Sequence, residues 1–514
     1  MSRGREALLQ LLLAAAVLTS GQAPAPRGAA PADVFSAERA AQHLRVIWAG
    51  VGPHPIGSPA NRLVRERLEQ RLRELGFVPG GPDEPGMTYH SGSGASPSGV
   101  EFSDVIARIE GAPGPALLLL SHYDSTTAGP GVSDDGVGVA AMLEVARALL
   151  AEAPLSRPVV LLFTDGEEAG LLGVRWFFEH HEWSKDLDGV INLEARGTSG
   201  PSLMFETSGP DAHLVDLFAR YHPRPVSSSA FTEVYRRMPN ATDLTIVRQH
   251  GVPGLNFAFI HGASRYHTAL DDLDHVDLGS LQHHGDGALA LARAALAEGF
   301  THDTTDDAVY FDVAALGIVR WPARFTLPLA ALTWLALSAA ALRQRPWRAL
   351  LSLPAAWLGA AALGLPFVSW VAEPFPDTVL PTLTLACGLA LASLFAASRL
   401  AGPRTAQARW TAGWWWHATL GLLLAATLPG LSYLFVAPAA LAAICGLLDR
   451  DPLGARWRSL LPALLAAVVW VRLLHLLPVA LGAHLVPLYA LCAAIYLGVV
   501  RDSLTAAAPL SGPS

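Results

Sequence analysis

The sequence predicts an α/β domain with a mostly parallel central sheet, followed by an all-α bundle of membrane-spanning helices. Three observations carry that expectation. The chain has 514 residues, whereas a single soluble core stops growing at about 250 to 300. Strand-like and helix-like stretches alternate through the first part. The second part breaks into long apolar runs, which raise the hydrophobic share to 51%, hold the charged share to 16% and bring the mean hydropathy to +0.34. That balance is too apolar for a wholly soluble protein.

The N-terminal stretch has Arg3 and Arg5 ahead of the apolar run Ala7 to Thr19, then Ser20-Gly21-Gln22-Ala23. It reads equally as a cleaved signal peptide or a short anchor over 1–23, and either would send the following domain across the membrane. A linker over 24–34 leads to the α/β domain, 35–302. Amphipathic helices are expected over 35–49 and 60–75, the second through Leu63, Leu68, Leu72 and Leu75. Then come strand Val105 to Ile109, strand Ala116 to Ser121, helix Gly136 to Ala151, strand Pro158 to Thr164, helix Leu171 to His181 and strand Gly189 to Leu193. The runs Leu117 to Leu120 and Val159 to Phe163 are apolar throughout, as strands covered on both faces must be. The Gly/Ser-rich stretch His90 to Gly99 reads as a flexible loop.

Charge is unevenly divided. From Trp321 onward there are 12 arginines against five acids, so the region before it is strongly acidic. An acidic surface argues against nucleic-acid binding. Cys387, Cys445 and Cys492 all fall in the apolar part, so a metal in the first part would have to be held by histidines and carboxylates.

Such groups stand where expected strands end, the place at which ligands gather in open α/β sheets. Ala116 to Ser121 runs into His122-Tyr123-Asp124, and a histidine can bind metal through one ring nitrogen while the other donates to a nearby carboxylate. Gly131 to Gly138 carries Asp134 and Asp135 ahead of a helix, where the alternative is a helix cap. Pro158 to Thr164 is followed by Glu167 and Glu168, which otherwise read as a solvated turn. Glu194 follows the next strand, and Tyr266-His267-Thr268 follows the segment Leu255 to Ile260. Five potential ligands exceed what one zinc needs and suit two ions bridged by one carboxylate.

The motifs SHYDS, GVSDDGVG, FTDGEEAGLLG, NLEARG and YHT, spread over about residues 35 to 300, resemble those of the family-28 metallopeptidases, the co-catalytic zinc aminopeptidase and glutamate carboxypeptidase group. With apolar runs behind the domain, the layout resembles the endoplasmic-reticulum metallopeptidase and vacuolar membrane protease branch. The resemblance implies a three-layer αβα zinc-exopeptidase domain with two zinc ions per chain. It implies His122 and Glu194 on one zinc, Glu168 and His267 on the other, and Asp134 between them. Glu167 is implied as general base and acid, Asp124 as the group orienting His122, Asp135 as the brace of the bridging turn and Tyr266 as an oxyanion donor. The soluble members carry Asp where Glu194 stands. Asp243 is implied as a substrate contact, with helix capping the alternative. Arg265 could bind a carboxylate terminus or form a surface salt bridge. His283 and His284 read as structural or exposed, and His180 and His181 as helix-dipole partners.

The expected function is a membrane-anchored aminopeptidase acting on peptides outside the cytoplasm. The alternatives are a carboxypeptidase or dipeptidase of the same fold, a one-zinc cyclising transferase, or a transporter or scaffold bundle with a peptide-binding outer domain. A linker is expected over 303–323 and a transmembrane domain over 324–502, with apolar runs at 325–342, 350–372, 378–398, 411–429, 431–448, 459–477 and 479–500. A tail, 503–514, follows. Arginines fall on alternate links, at Arg343/Arg345/Arg348, Arg399/Arg404/Arg409 and Arg450/Arg456/Arg458, with Arg501 near the tail. Val371 to Asp377 carries Glu373 and Asp377 and no base. The positive-inside rule then puts the arginine links and the C-terminus in the cytoplasm and the α/β domain on the other side, periplasmic or lumenal. Arg472 and His475 lie inside an apolar run, where charge marks either function or pairing within the bundle.

Overall fold

The computed structural model describes residues 3–20, 22–81, 86–300, 305–368, 379–401, 406–447 and 454–506. Two compact units result, Gln22–Asp307 and Met1–Gly21 with Ala308–Ser514. The chain opens with α1 (Arg3–Ser20). The first-named unit then runs α2 (Ala37–Trp48), α3 (Pro59–Glu74), β1 (Val78–Pro79), β2 (Thr88–Ala95), β3 (Glu101–Ile109), β4 (Ala116–His122), α4 (Gly138–Leu150), β5 (Val159–Thr164), α5 (Leu172–His180), β6 (Leu187–Ala195), β7 (Leu203–Thr207), α6 (Ala212–Tyr221), α7 (Ser229–Tyr235), α8 (Asp243–Gln249), β8 (Gly254–Phe259) and α9 (Leu278–Glu298).

The eight strands form one mixed sheet in the order β1-β2-β3-β5-β4-β6-β8-β7. Its centre, β5-β4-β6-β8, is parallel, β3 runs antiparallel to both β5 and β2, β7 runs antiparallel to β8, and β1 runs parallel to β2. Every residue of β4 and β5 is buried, the reason both read as unbroken apolar runs. Helices α5 and α8 pack on one face through Val174, Phe177, Leu244 and Val247 against Leu118, Leu120 and Leu162. Helices α2, α4 and α9 pack on one another, with α4 and α9 also against β4. From β4 the chain crosses to β5 on one side and then returns to β6 on the other, so the topology reverses about β4 and leaves a crevice at the strand carboxyl ends.

The expected loop His90 to Gly99 is corrected by the structure. Thr88–Ala95 is a strand paired along its length with β3, and only Ser96–Gly99 turns. Its glycines are packing devices. A Cβ on Gly92 would lie 2.1 Å from the Trp176 ring, so α5 rests directly on bare backbone. The 24–34 segment is also tied down, with Arg27 donating from its backbone to Gln282 and from its guanidinium to Asp286 on α9. His283 and His284 are buried.

In the other unit the stretch expected as a linker, 303–323, contains an antiparallel hairpin, β9 (Ala308–Asp312) with β10 (Ile318–Pro322). Seven helices follow: α10 (Thr326–Gln344), α11 (Trp347–Gly364), α12 (Val379–Ala401), α13 (Ala406–Thr427), α14 (Pro429–Leu447), α15 (Gly454–Leu481) and α16 (Val486–Ala506). Among the described residues, six helices are long and apolar enough to cross a membrane. Helix α13, read from sequence as a seventh span, is not among them, since Gln407, Arg409, His417 and four tryptophans lower its hydropathy. Arg404, Arg450 and the link Val371 to Asp377 lie outside the described residues. Arg472 pairs within its own unit. It donates to Asp312 on β9 at 2.5 Å and to the Val17 carbonyl of α1 at 2.9 Å, all three being buried. A guanidinium in an apolar bundle is costly until neutralised in this way, and the pairing accounts for its presence.

Two outcomes follow. Gly92→Val is expected to destabilise the α/β unit by about 1–3 kcal/mol in denaturant unfolding, because Trp176 cannot yield without leaving its site. His43 of α2 is buried and accepts a hydrogen bond from Arg71 Nε at 3.0 Å. Burial, then the charges of Arg71 and Arg147, push it down to about 3. It is therefore neutral when folded but takes up a proton near pH 6.5 when unfolded. Its contribution is complete above that pH and declines as pH falls towards 3. Between pH 6.5 and 5.0 the stability of His43→Gln should change by about 2 kcal/mol less than that of the parent.

Candidate metal centre

The parallel register brings separate motifs to one edge. His122 is level with Thr164, the residue before the Asp165-Gly166-Glu167-Glu168 turn, and Leu120 is level with Asn192, two residues before His122 and Glu194 respectively. Three neighbouring strands therefore deliver their polar ends together. A turn at Val132–Val137 after β4 supplies Asp134, and the loop after β8 supplies His267, whose φ of 56° puts its backbone in the left-handed region. Few non-glycine residues sit there without tertiary support.

The five ligands suggested by sequence form two groups with one member in common. His122, Asp134 and Glu194 make one, and Asp134, Glu168 and His267 the other. His122 Nε2 is 3.3 Å from Asp134 Oδ1 and 3.8 Å from Glu194 Oε2. His267 Nε2 is 3.1 Å from Asp134 Oδ2 and 3.0 Å from Glu168 Oε1. Donor atoms bound tetrahedrally to one zinc at 2.0–2.1 Å would be about 3.3 Å apart. The donor set and its spacing thus fit two divalent ions, with one oxygen of Asp134 given to each.

The supporting contacts have distinct tasks. His122 Nδ1 faces the Asp124 backbone carbonyl at 3.1 Å and lies 3.5 Å from its carboxylate, which leaves Nε2 for the centre. The Asp124 carboxylate accepts from the backbone N–H groups of Glu167 and Glu168 at 3.0 and 3.3 Å. It therefore positions the Glu-Glu turn as well as the histidine. Asp135, joined to Asp134 by a cis peptide, accepts from Ser121 Oγ and from Gly138 N at the start of α4. The two aspartates divide the readings open in the sequence, one capping the helix and the other facing the site.

Burial would suppress the charge on His122, but Asp124, Asp134 and Glu167 overcome it and push its pKa well above the usual value. Burial likewise opposes charge on His267, yet Asp134 and Glu168 raise it to about 10. Burial and then the neighbouring carboxylates raise Glu167 and Glu194, with His122 opposing. This is a pocket of excess negative potential that calls for cations, and a metal would displace the imidazole protons on entry.

Tyr266 stacks on His267 with ring centroids 3.7 Å apart, and burial with the surrounding carboxylates keeps its phenol protonated. Asp243, at the start of α8, is buried. Thr164 Oγ1 donates to its Oδ2 at 2.5 Å, and its Oδ1 has no hydrogen-bond partner among the described residues. Arg265 is half-buried and donates to Thr198 Oγ1 at 3.0 Å.

Two contributors escaped sequence reasoning. Asp271 is buried and holds the Asp134 turn through three contacts: Oδ1 accepts from Ser133 N at 2.7 Å, Oδ2 from Asp134 N at 3.1 Å, and its carbonyl from Val132 N at 3.2 Å. The same loops touch at Gly129, where a Cβ would lie 2.3 Å from the Thr268 carbonyl. Asn192 is the second. Its Nδ2 donates to Glu194 Oε1 at 3.1 Å and to Asn256 Oδ1 at 3.0 Å, and Asn256 bonds Glu206, which pairs with Arg248. This chain braces the longer Glu194 side chain. Asn192 was legible only as the second residue before a carboxylate on the same strand face.

The fold and site together define an α/β domain with two candidate metal-binding groups beyond its central strands. Residues 104–292 match the model described as peptidase family M28, so the chain carries an M28 domain. It is similar to endoplasmic reticulum metallopeptidase 1 of Rattus norvegicus, 30% identical over 316 residues that cover 56% of this chain and 34% of that one. It is also similar to the vacuolar membrane protease of Eremothecium gossypii, 32% identical over 290 residues, 53% of this chain and 28% of that one. The chain thus spans about a third of the length of these relatives. Among solved structures, glutaminyl cyclase from an Acidobacteriales bacterium matches with 20% identity and a TM-score of 0.41, over 54% of this chain and 99% of that one. A Zn-dependent exopeptidase from Parabacteroides distasonis matches with 17% identity and a TM-score of 0.41, over 51% and 99%.

If Asp271 sets the shared ligand, Asp271→Ala should weaken divalent-metal binding about 10–100-fold in a chelator competition, with Asp271→Asn milder. Unchanged affinity would contradict the clamp.

Proposed function

We propose that the chain is a membrane-anchored di-zinc exopeptidase that removes N-terminal residues from peptides outside the cytoplasm. The observation that carries this reading is the shared Asp134, which stands in both ligand groups, with Glu167 in electrostatic contact with His122 and Glu194 of one group and Glu168 of the other. Zinc bound there would supply Lewis acidity, polarising a peptide carbonyl and acidifying a water.

The chain's own residues do the rest. His122 and Glu194 hold one position, Glu168 and His267 the other, and Asp134 joins them. Glu167, its backbone fixed by Asp124, takes a proton from the attacking water and passes it to the departing amine. Tyr266 donates its phenol hydrogen to the developing oxyanion. Asp243, whose Oδ2 is held by Thr164, and Arg265 stand as the substrate contacts. The alternating arginine links support a cytoplasmic C-terminus and a periplasmic or lumenal peptidase domain.

Hydrolysis of aminoacyl-nitroanilides with a free amino group, lost on N-acetylation and on chelation, is the expected activity. Release of C-terminal residues alone would overturn the aminopeptidase reading. Glu167→Gln should lower turnover about 10²–10⁴-fold with metal content unchanged, whereas Asp134→Ala should lose metal from both positions. Equal metal content in the two variants would contradict the assignment.

A further inference from the structure

Three neighbouring strands carry a row of polar side chains through the sheet. Asn192 on β6 is level with Asn256 on β8, and Asn256 is level with Glu206 on β7. All three are buried. Burying an amide or a carboxylate is costly unless it is bonded, so a row of this kind needs a reason. It begins at Arg248, whose Nη1 donates to Glu206 Oε1 at 3.2 Å, and it ends at Glu194 of the metal centre.

The row has a direction. Glu206 Oε2 is an acceptor, so Asn256 turns its amide nitrogen towards it, and the same nitrogen donates to Thr242 Oγ1 at 2.9 Å. The Asn256 carbonyl oxygen is left facing β6, where it accepts from Asn192 Nδ2 at 3.0 Å. Asn192 must therefore present its nitrogen as well, and the second hydrogen of that nitrogen goes to Glu194 Oε1 at 3.1 Å. Reversing either amide would set two acceptors against each other. The Asn192 oxygen has no hydrogen-bond partner among the described residues, a cost the sheet bears to keep the nitrogen on Glu194. Glu194 Oε2 stays outside this row and lies 3.8 Å from His122 Nε2. The two oxygens of one carboxylate are thus divided, one held within the sheet and one facing the centre.

We propose that Asn192 is a positioning residue that restricts Glu194 to metal ligation through Oε2 alone. A carboxylate free to turn could close on an ion with both oxygens, whereas a catalytic zinc needs one position left open for the reacting group. The inference rests on the di-zinc reading and gives the length of Glu194 a purpose. An aspartate in its place would be one methylene shorter, with less reach to span Asn192 and the centre together.

The test is titration of the metal-free full chain in detergent with cobalt(II), followed by visible absorption, which weakens as the coordination number of the ion rises. Asn192→Leu, similar in size but without a donor, should weaken the absorption of one bound cobalt and leave the other unchanged. In a Glu194→Asp background the same replacement should change neither, because the shorter carboxylate is no longer under the restraint of Asn192. A merely structural effect would act equally in both backgrounds. Glu206→Gln, which removes the acceptor that orients Asn256, should weaken the same absorption to a lesser extent. Absorption unchanged by Asn192→Leu, or changed equally in both backgrounds, would overturn the proposal. Where Asn192→Leu does not fold, absorption unchanged by Glu206→Gln would do the same. One cobalt per chain in the parent would instead contradict the two-ion reading, and the comparison at Glu194 would still stand.

Discussion

The arrangement at the strand ends depends on one electrostatic constraint. The sheet gathers Asp124, Asp134, Glu167, Glu168 and Glu194 around two imidazoles, and burial raises the cost of each negative charge. A fold can hold such a group fully ionised only if positive charge arrives at fixed positions. Divalent ions satisfy that demand better than the protons on His122 and His267, because each also accepts the lone pairs of three aimed donors. Asp134 is the pivot, since one carboxylate serves both positions, and the turn that carries it is held by Asp271 below and Asp135 behind.

Much of this was legible in the amino-acid order. Strands β4 and β5 announce themselves as unbroken apolar runs because both faces are covered, and His122 closes the first while Glu167 and Glu168 stand in the turn after the second. The motifs carrying Asp134, Glu194 and His267 are recognisable for the same reason. What stayed hidden are features whose local sequence points elsewhere. Gly92 and Gly94 make β2 look like a loop, and only the indole of Trp176, 84 positions away, shows why side chains are excluded there. Asp271 looks no different from Asp272 and Asp274, yet only Asp271 is buried and faces the backbone of the Asp134 turn. Asn192 reads as strand filler until Asn256 and Glu206 are seen beside it.

The apolar unit follows a different logic. Among the described residues its buried charges are few, and they include two pairs local to it: Arg472 with Asp312, and Arg501 with Asp502. The first joins a helix, a hairpin strand and the N-terminal helix through one guanidinium. Neither partner of Arg472 could be named from hydropathy, because Asp312 lies in a stretch that composition presents as a linker.

The most direct test of the central claim is anomalous diffraction at the zinc edge from crystals of the zinc-loaded full chain. The account predicts two peaks about 3.5–4 Å apart, one against His122 and Glu194, the other against Glu168 and His267, with Asp134 between them. A single peak, or two peaks of which only one touches Asp134, would contradict it.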